Sequence, residues 1–488
     1  MQALRLTQNL GPLRSPFAKG CSKTLKNFRN ISVKSAVNRS SKAEITELKN
    51  GIRVATENTP GHFSAVGVYV DAGSRYENEE TRGVSHILDR IAFKSTTGKS
   101  TEEITSELEA LGGNVMCSSS RECMMYQASI FNQDLERVVS LFADVVQNPA
   151  INPAELDEQR QSTFYEISDI WSKPEAILPE LLHMTAYKNN TLGNPLLCPE
   201  ANLTSITPEI VKKYLKQWYT PERIVIAAAG APHDEVCRLA EKYFGNMEKR
   251  EAEAPSKLSN LFSKKSPANE KAKYTGGTLM RENPDLPFTN VYLGFEGVSI
   301  HDPDVYPLAT LQILMGGGSS FSAGGPGKGM YSRFYTNILN QHYWVESCQS
   351  FNHCYTDSGL FGVAASCRPE YNQHLIYFVG QELDLITRTG RGGITEVELN
   401  RAKNQLKSSL LMNLESRMIQ LEDLGRQVQI RGSKVEAEEM CDLIDQVTLA
   451  DLCRVANRVL KDGKGDITFV AEGNLTGLND YKKLLKLP

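Results

Sequence analysis

From Glu47 to Val70 the chain alternates in the way strands do, with Ile52 and Val54, then Ala65, Val66, Val68 and Val70, and with Gly51 and Gly61 as punctuation. The period then lengthens. Val84, Ile87, Leu88, Ile91 and Ala92 fall at helical spacing, and Thr101–Leu111 repeats that spacing until Gly112-Gly113 stops it. Asn152-Pro153-Ala154-Glu155 predicts a further helix start, with an N-cap Asn, Pro at the first helical position and Glu155 placed to close a capping box. That helix is expected to run to about Trp171.

Met247 to Gly277 breaks the pattern, being rich in Lys, Glu, Ser, Pro and Asn and poor in apolar residues, and reads as a linker. The segments on either side resemble each other. Ile206-Thr207-Pro208-Glu209-Ile210 opens a helix that leads to a Val/Ile/Ala strand ending at Gly230. Val447-Thr448-Leu449-Ala450-Asp451-Leu452 opens another, leading to Ile467-Thr468-Phe469-Val470-Ala471-Glu472-Gly473. Upstream lie helix starts with Glu155-Leu156 and Glu398-Leu399, 51 and 49 residues ahead of Thr207 and Thr448. Two matches in register predict a duplicated α+β domain of about 200 residues, each copy a mixed β-sheet covered by helices. The expected boundaries are 43–246 and 279–488, with a linker at 247–278.

The 488 residues suit two such domains, and 40% hydrophobic content supports a sizeable core. No apolar run approaches the length of a membrane-spanning helix. Ten cysteines without a single C-x-x-C pair argue against a disulfide scaffold and a zinc ribbon. The net charge of −4 hides an asymmetry. Residues 1–43 contain no Asp or Glu but nine basic residues, Arg5, Arg14, Lys19, Lys23, Lys26, Arg29, Lys34, Arg39 and Lys42, interspersed with serines. Acid-free, basic and Ser-rich describes a mitochondrial transit peptide, expected over residues 1–42, with Arg29 and Arg39 as landmarks for its cleavage. Removing the nine cations takes the net charge to −13. Such a body favours cationic partners and disfavours nucleic acid.

The chemistry is concentrated in Gly83-Val84-Ser85-His86-Ile87-Leu88-Asp89-Arg90. His86 and Arg90, at i and i+4, project from one helix face with Asp89 beside them. A working zinc site of this kind needs two His at that spacing, a Glu between them as general base and a further carboxylate ligand, for which Glu166 is the candidate. With the Leu111-Gly112-Gly113-Asn114 stop and the Glu166 helix, the segment resembles the pitrilysin-type (inverzincin) peptidases, whose signature is His-x-x-Glu-His plus a distant Glu. Here Asp89 stands for the general base and Arg90 for the second His. A guanidinium offers only donors and cannot ligate a metal. The expected outcome is a fossil site in which Arg90 pairs with Asp89 or Glu166; a surviving zinc hydrolase is the rival.

A second motif follows a helix marked by Leu308, Leu311 and Leu314: Gly316-Gly317-Gly318-Ser319-Ser320-Phe321-Ser322-Ala323-Gly324-Gly325-Pro326-Gly327-Lys328-Gly329. Seven glycines in these fourteen residues predict a mobile, backbone-exposed segment. A phosphate-binding loop is disfavoured because Lys328 is followed by glycine and a helix precedes the run. A flexible linker and a substrate-handling loop over a cavity remain. The run resembles the loop of the alpha-type subunits in the mitochondrial presequence-processing branch of the pitrilysin-type family. That resemblance extends to Tyr274-Thr275-Gly276-Gly277, Asp285-Leu286-Pro287 and Leu192-Gly193-Asn194-Pro195-Leu196.

The resemblance implies a non-catalytic subunit with no metal or other cofactor of its own, paired as a heterodimer with a zinc-bearing beta subunit in the mitochondrial matrix. It implies binding of cationic presequence peptides in an acidic enclosure, with residues 316–329 in contact with the substrate. Glu296, Asp357, Glu370 and Glu382 are available as carboxylates, though a solvated surface place is the default for each. The alternative is a structural core subunit of the ubiquinol–cytochrome c reductase, a role that would bring peripheral association with the inner membrane through a complex.

Overall fold

The computed structural model describes residues 42–249, 270–320, 330–463 and 466–485. The expected leader up to Ser41, residues 250–269 of the expected linker and residues 321–329 of the glycine-rich run lie outside the described residues. The first half runs β1 (Glu44–Glu47), β2 (Arg53–Glu57), β3 (Phe63–Val70), α1 (Val84–Ile91), α2 (Thr101–Leu111), β4 (Asn114–Ser119), β5 (Met124–Phe131), α3 (Leu135–Gln147), α4 (Pro153–Trp171), α5 (Pro174–Ala186), α6 (Glu200–Leu203), α7 (Pro208–Trp218), β6 (Ile224–Ala229) and α8 (His233–Phe244). The second runs β7 (Gly277–Glu282), β8 (Thr289–Glu296), α9 (Val305–Met315), β9 (Gly317–Ser319), β10 (Val345–Cys354), β11 (Gly359–Cys367), α10 (Asn372–Leu385), α11 (Glu396–Leu414), α12 (Arg417–Arg431), α13 (Ala437–Gln446), α14 (Leu449–Leu460), β12 (Thr468–Gly473) and α15 (Tyr481–Leu485).

The duplication is visible in the sheets. Their strand orders are β1-β2-β6-β3-β5-β4 and β7-β12-β8-β11-β10-β9. In each, one parallel pair (β2 with β6, β7 with β12) leads into a run of antiparallel neighbours. Strand β1 at one edge and β9 at the opposite edge are the additions that distinguish the halves. Helices α4 and α11, the two Glu-Leu starts, are 19 residues each.

Both faces of the central strands are covered, and the second cover is exchanged between halves. Helix α5 of the first half lies on β12 and β8 of the second, where Ile177, Leu178 and Leu182 pack with Leu360 and Val470. Helix α12 of the second half lies on β6 and β3 of the first, where Leu421, Leu424 and Val428 pack with Tyr69 and Val225. This explains why Ile224–Ala229 and Thr468–Gly473 are buried at every position, the first apolar throughout and the second apolar except for Thr468 and Glu472.

Local expectations are met with one change. Helix α4 starts at Pro153 behind the Asn152 cap, whose side chain accepts the Ala154 amide at 3.0 Å, and it ends at Trp171. Glu155 does not close a capping box. Its two oxygens instead accept the hydroxyls of Ser95 and Thr101, both at 2.5 Å, which ties α4 to the start of α2.

Candidate functional site

Helix α1 begins at Gly83, whose φ of +92° is left-handed and whose side-chain-free position offers no cap. Glu77 supplies the cap from six residues upstream. Its carboxylate accepts the amides of Gly83 (2.7 Å) and Ser85 (2.8 Å) and the Ser85 hydroxyl (2.5 Å). Complete burial pushes the Glu77 carboxyl up to about 7, against the pull of those three bonds. Sequence reasoning missed Glu77, because only a Gly-Val-Ser start without a capping side chain of its own signals the need for it.

Capping fixes the α1 face that carries His86, Asp89 and Arg90. His86 is 3% exposed, and its Nδ1 accepts the Cys198 amide at 3.1 Å, so Nε2 carries the proton. That Nε2 faces Glu166 Oε2 of α4 at 3.7 Å, an electrostatic approach beyond hydrogen-bond reach. Arg90 makes the real bonds: Nε to Glu166 Oε2 at 2.8 Å and Nη2 to Glu166 Oε1 at 2.6 Å, a fork on both carboxylate oxygens. The His86 ring facing it and the Arg90 fork hold the Glu166 carboxyl down at about 2. Of the two partners the sequence left open for Arg90, Glu166 is the bonded one; Asp89 lies at 3.7 Å. Asp89 turns instead to the edge of β4, accepting the Ser119 amide (2.9 Å) and hydroxyl (3.1 Å).

This donor set does not fit zinc. Both Glu166 oxygens are taken by a fixed cation, Asp89 is taken by Ser119, and His86 alone remains as a neutral nitrogen ligand. Among the described residues, no group of three His, Cys, Asp or Glu side chains converges on a point where a metal could sit. The site is a clamp between α1 and α4.

The pair has a pH signature. A carboxyl whose folded value lies below its ordinary 4.5 stabilises the native state fully above about 4.5, and that contribution is lost as the pH falls toward about 2. Glu166→Gln is therefore expected to lower the unfolding midpoint at pH 6, with the difference from the parent chain closing near pH 2. Denaturant titrations across that range check it.

The base of the glycine-rich run is ordered, which corrects the expectation of mobility for its first residues. Gly316 ends α9, with its amide on Gln312 O at 2.8 Å. Gly317–Ser319 form β9, paired antiparallel with Ser347–Gln349 of β10. The three glycines are needed for closeness. Gly317 has φ +95°, and a Cβ there would lie 2.0 Å from the Cys348 carbonyl; one on Gly318 would lie 2.5 Å from the Tyr335 hydroxyl. The two ends of the run are joined, since the Gly317 amide donates to Ser332 Oγ at 3.0 Å. Beyond Ser332, buried Arg333 donates to Glu398 Oε1 at 2.8 Å and Gly393 O at 2.6 Å, and a π turn follows at Tyr335–Leu339. Phe321, Ser322, Ala323, Gly324, Gly325, Pro326, Gly327, Lys328 and Gly329 lie outside the described residues.

The four carboxylates separate. Asp357 accepts both Arg75 nitrogens (2.8 and 2.5 Å) and the Ala272 amide, and Glu382 is 7% exposed and 3.7 Å from Arg333, so neither is the solvated surface group expected. Glu296 is half-buried at the end of β8, and Glu370 is exposed. A cavity of about 640 Å³ opens where the halves meet, walled by Arg121, Glu180, His183, His353, Tyr355 and Arg426. Its polar groups are largely matched internally: Arg121 with Glu180 at 2.6 Å, and His183 between Pro179 O and the Tyr355 hydroxyl, both at 2.7 Å.

Fold and site together define a two-domain peptidase scaffold whose metal position has been filled by an ion pair. Residues 53–200 match the insulinase peptidases of family M16, and residues 205–406 match the M16 inactive domain. The chain belongs to the M16 (insulinase) peptidase family. It is 49% identical to the mitochondrial-processing peptidase subunit alpha of Neurospora crassa, over 85% of this chain and 82% of that one. It is 44% identical to the probable mitochondrial-processing peptidase subunit alpha of Schizosaccharomyces pombe (97% and 93% covered) and 38% identical to the human subunit alpha (90% and 84%). A chain of the Candida albicans complex III2 structure superposes with a TM-score of 0.75 at 20% identity, covering 91% of this chain and 98% of that one, a likeness of fold alone.

Proposed function

We propose that this chain is the non-catalytic, substrate-recognition subunit of a mitochondrial processing peptidase. It holds the basic presequences of imported precursors for endoproteolytic removal by a zinc-bearing beta subunit, with which it forms a heterodimer in the mitochondrial matrix. The carrying observation is the Arg90 fork on Glu166, which puts a fixed cation where the family's chemistry needs a metal, in a chain 49% identical to an alpha subunit. The acidic body supports the reading, since a negative enclosure draws in a cation-rich peptide. Residues 1–42 as a leader, 43–246 and 279–488 as peptidase-like domains, 247–278 as their linker and residues 316–329 as the substrate loop belong to the same proposal. The ordered stem at Gly316–Ser320 supports the last, because it fixes where the loop leaves the sheet.

The test is cleavage of a basic presequence peptide by this chain alone, by a zinc-bearing beta subunit alone and by the two together. Cleavage only by the pair, with binding by this chain alone, is the expected result. Deleting 321–329 while keeping the stem is expected to abolish processing; unchanged processing would sink the loop assignment. The reductase alternative has only the fold likeness in its favour.

A further inference from the structure

Helix α4 buries one face through Leu156, Thr163 and Ile167. The adjoining face carries a second ordered pattern. Gln161, Phe164, Tyr165, Ser168 and Trp171 recur at i, i+3, i+4, i+7 and i+10, and all are exposed, with Phe164 at 43%, Tyr165 at 73% and Trp171 at 42%. A helix pays no folding dividend for three aromatic rings in water, and a charge-free aromatic stripe of this kind has the composition of an interface core.

The surroundings define what fits. At the N-terminal end of the stripe a pocket of about 350 Å³ is walled by Phe164, Tyr165 and Leu203 together with Arg160 and Glu200, wide enough for an apolar side chain. Five exposed carboxylates, Asp157, Glu158, Asp169, Glu175 and Glu200, flank the stripe. Four cations lie close: Arg160 pairs with Asp157 and the Ile206 carbonyl, Lys173 with Asp169 and Lys94 with Glu158, while Arg281 stacks on Trp171. Five carboxylates against four cations leave the border acidic by one charge, and Glu175 and Glu200 are the two without an ion pair among the described residues. At its far end Trp171 stacks under Arg281 of the second half at 4.8 Å, so the stripe reaches the junction between halves. Glu166 leaves α4 on a different face, turned toward Arg90 of α1.

Resting on the function proposed above, we infer that this stripe is the subsite for the apolar face of the presequence: aromatic rings and the pocket take its leucine-type side chains, and the flanking carboxylates take its cations. Acid-free peptides with apolar residues among scattered Arg and Lys satisfy both halves of that chemistry. The chain's own first twenty residues are one, carrying Leu4, Leu6, Leu10 and Leu13 with Arg5, Arg14 and Lys19.

The probe is a fluorescent synthetic peptide of residues 1–20, titrated by anisotropy onto the full chain and onto the assembled heterodimer. Phe164→Ser combined with Tyr165→Ser changes only exposed side chains. It is expected to weaken binding by about tenfold to thirtyfold and to raise KM for cleavage with little change in kcat. A peptide whose four leucines are serine is expected to bind the parent weakly and to be indifferent to the double substitution, the signature of a direct contact. Binding of the leucine peptide to the variant within about twofold of the parent would overturn the subsite. So would loss of heterodimer assembly with peptide binding to the isolated variant unchanged, which would assign the stripe to the subunit contact. Failure of the parent chain to bind the peptide at all would instead count against the proposed function itself.

Discussion

Gly317→Ala is expected to detach the glycine-rich segment from the sheet while leaving the two cores folded. An L-residue at φ +95° is strained by about 1–2 kcal/mol, and here the added Cβ would also sit 2.0 Å from the Cys348 carbonyl. The carbonyl belongs to β10 and cannot rotate away without breaking the pairing that defines β9. The backbone must move, and with it the Gly317 amide bond to Ser332 that closes the base of the loop. Hydrogen exchange is expected to rise at Ser320 and Ser350, whose amides bond to Glu346 O and Gly316 O. Processing by the heterodimer should fall on the order of 100-fold, the scale of a misplacement of about 1 Å in a substrate-positioning element. Gly112→Ala is the control. Gly112 shares a left-handed φ of +62°, but nothing lies within 4 Å of its Cβ position, so only the strain is incurred and processing should be preserved.

Arg75→Met is expected to cost about 3–5 kcal/mol of stability, the usual loss when one partner of a buried charge network is removed. Arg75 is 6% exposed and joins the halves: it donates to Glu122 at 2.5 Å, to both Asp357 oxygens, to Thr356 Oγ1 at 3.1 Å and to Glu270 O at 3.1 Å. Removing it leaves two half-buried carboxylates facing each other across the junction of β5 and the β10–β11 turn. Their repulsion falls when either is protonated, so the deficit should be larger at pH 7 than at pH 4. Denaturant unfolding at the two values measures this, and an equal deficit at both would show that lost packing, rather than stranded charge, dominates. Removing Asp357 as well (Arg75→Met with Asp357→Asn) should recover part of the loss.

What the sequence disclosed follows the range of the forces involved. Helix α4 was legible because its Asn-Pro start is a local fact. The Arg90 clamp was legible as a pairing, because a guanidinium at a ligand position needs a carboxylate, but the choice of Glu166 over Asp89 came from the structure. The duplication emerged from two spacings and reappears as matching strand orders. The exchange of α5 and α12 was not legible. Periodicity tells a helix which face to bury but not against which sheet, and both helices bury apolar faces that would suit either. Glu155 shows the same limit at the scale of one side chain: a capping box was available, but the Ser95 and Thr101 hydroxyls offered two bonds that also join elements. The glycines at 316–318 read as flexibility because composition records the missing Cβ and not the carbonyl packed against it.

The central claim is that the ion pair of Arg90 and Glu166 has taken the place of a metal, so that this chain holds substrate and its partner cuts. Metal analysis of the purified heterodimer tests it most directly. One zinc per heterodimer is the predicted result, with none retained by this chain when isolated. Two zincs per heterodimer, or stoichiometric zinc on the isolated chain, would contradict it.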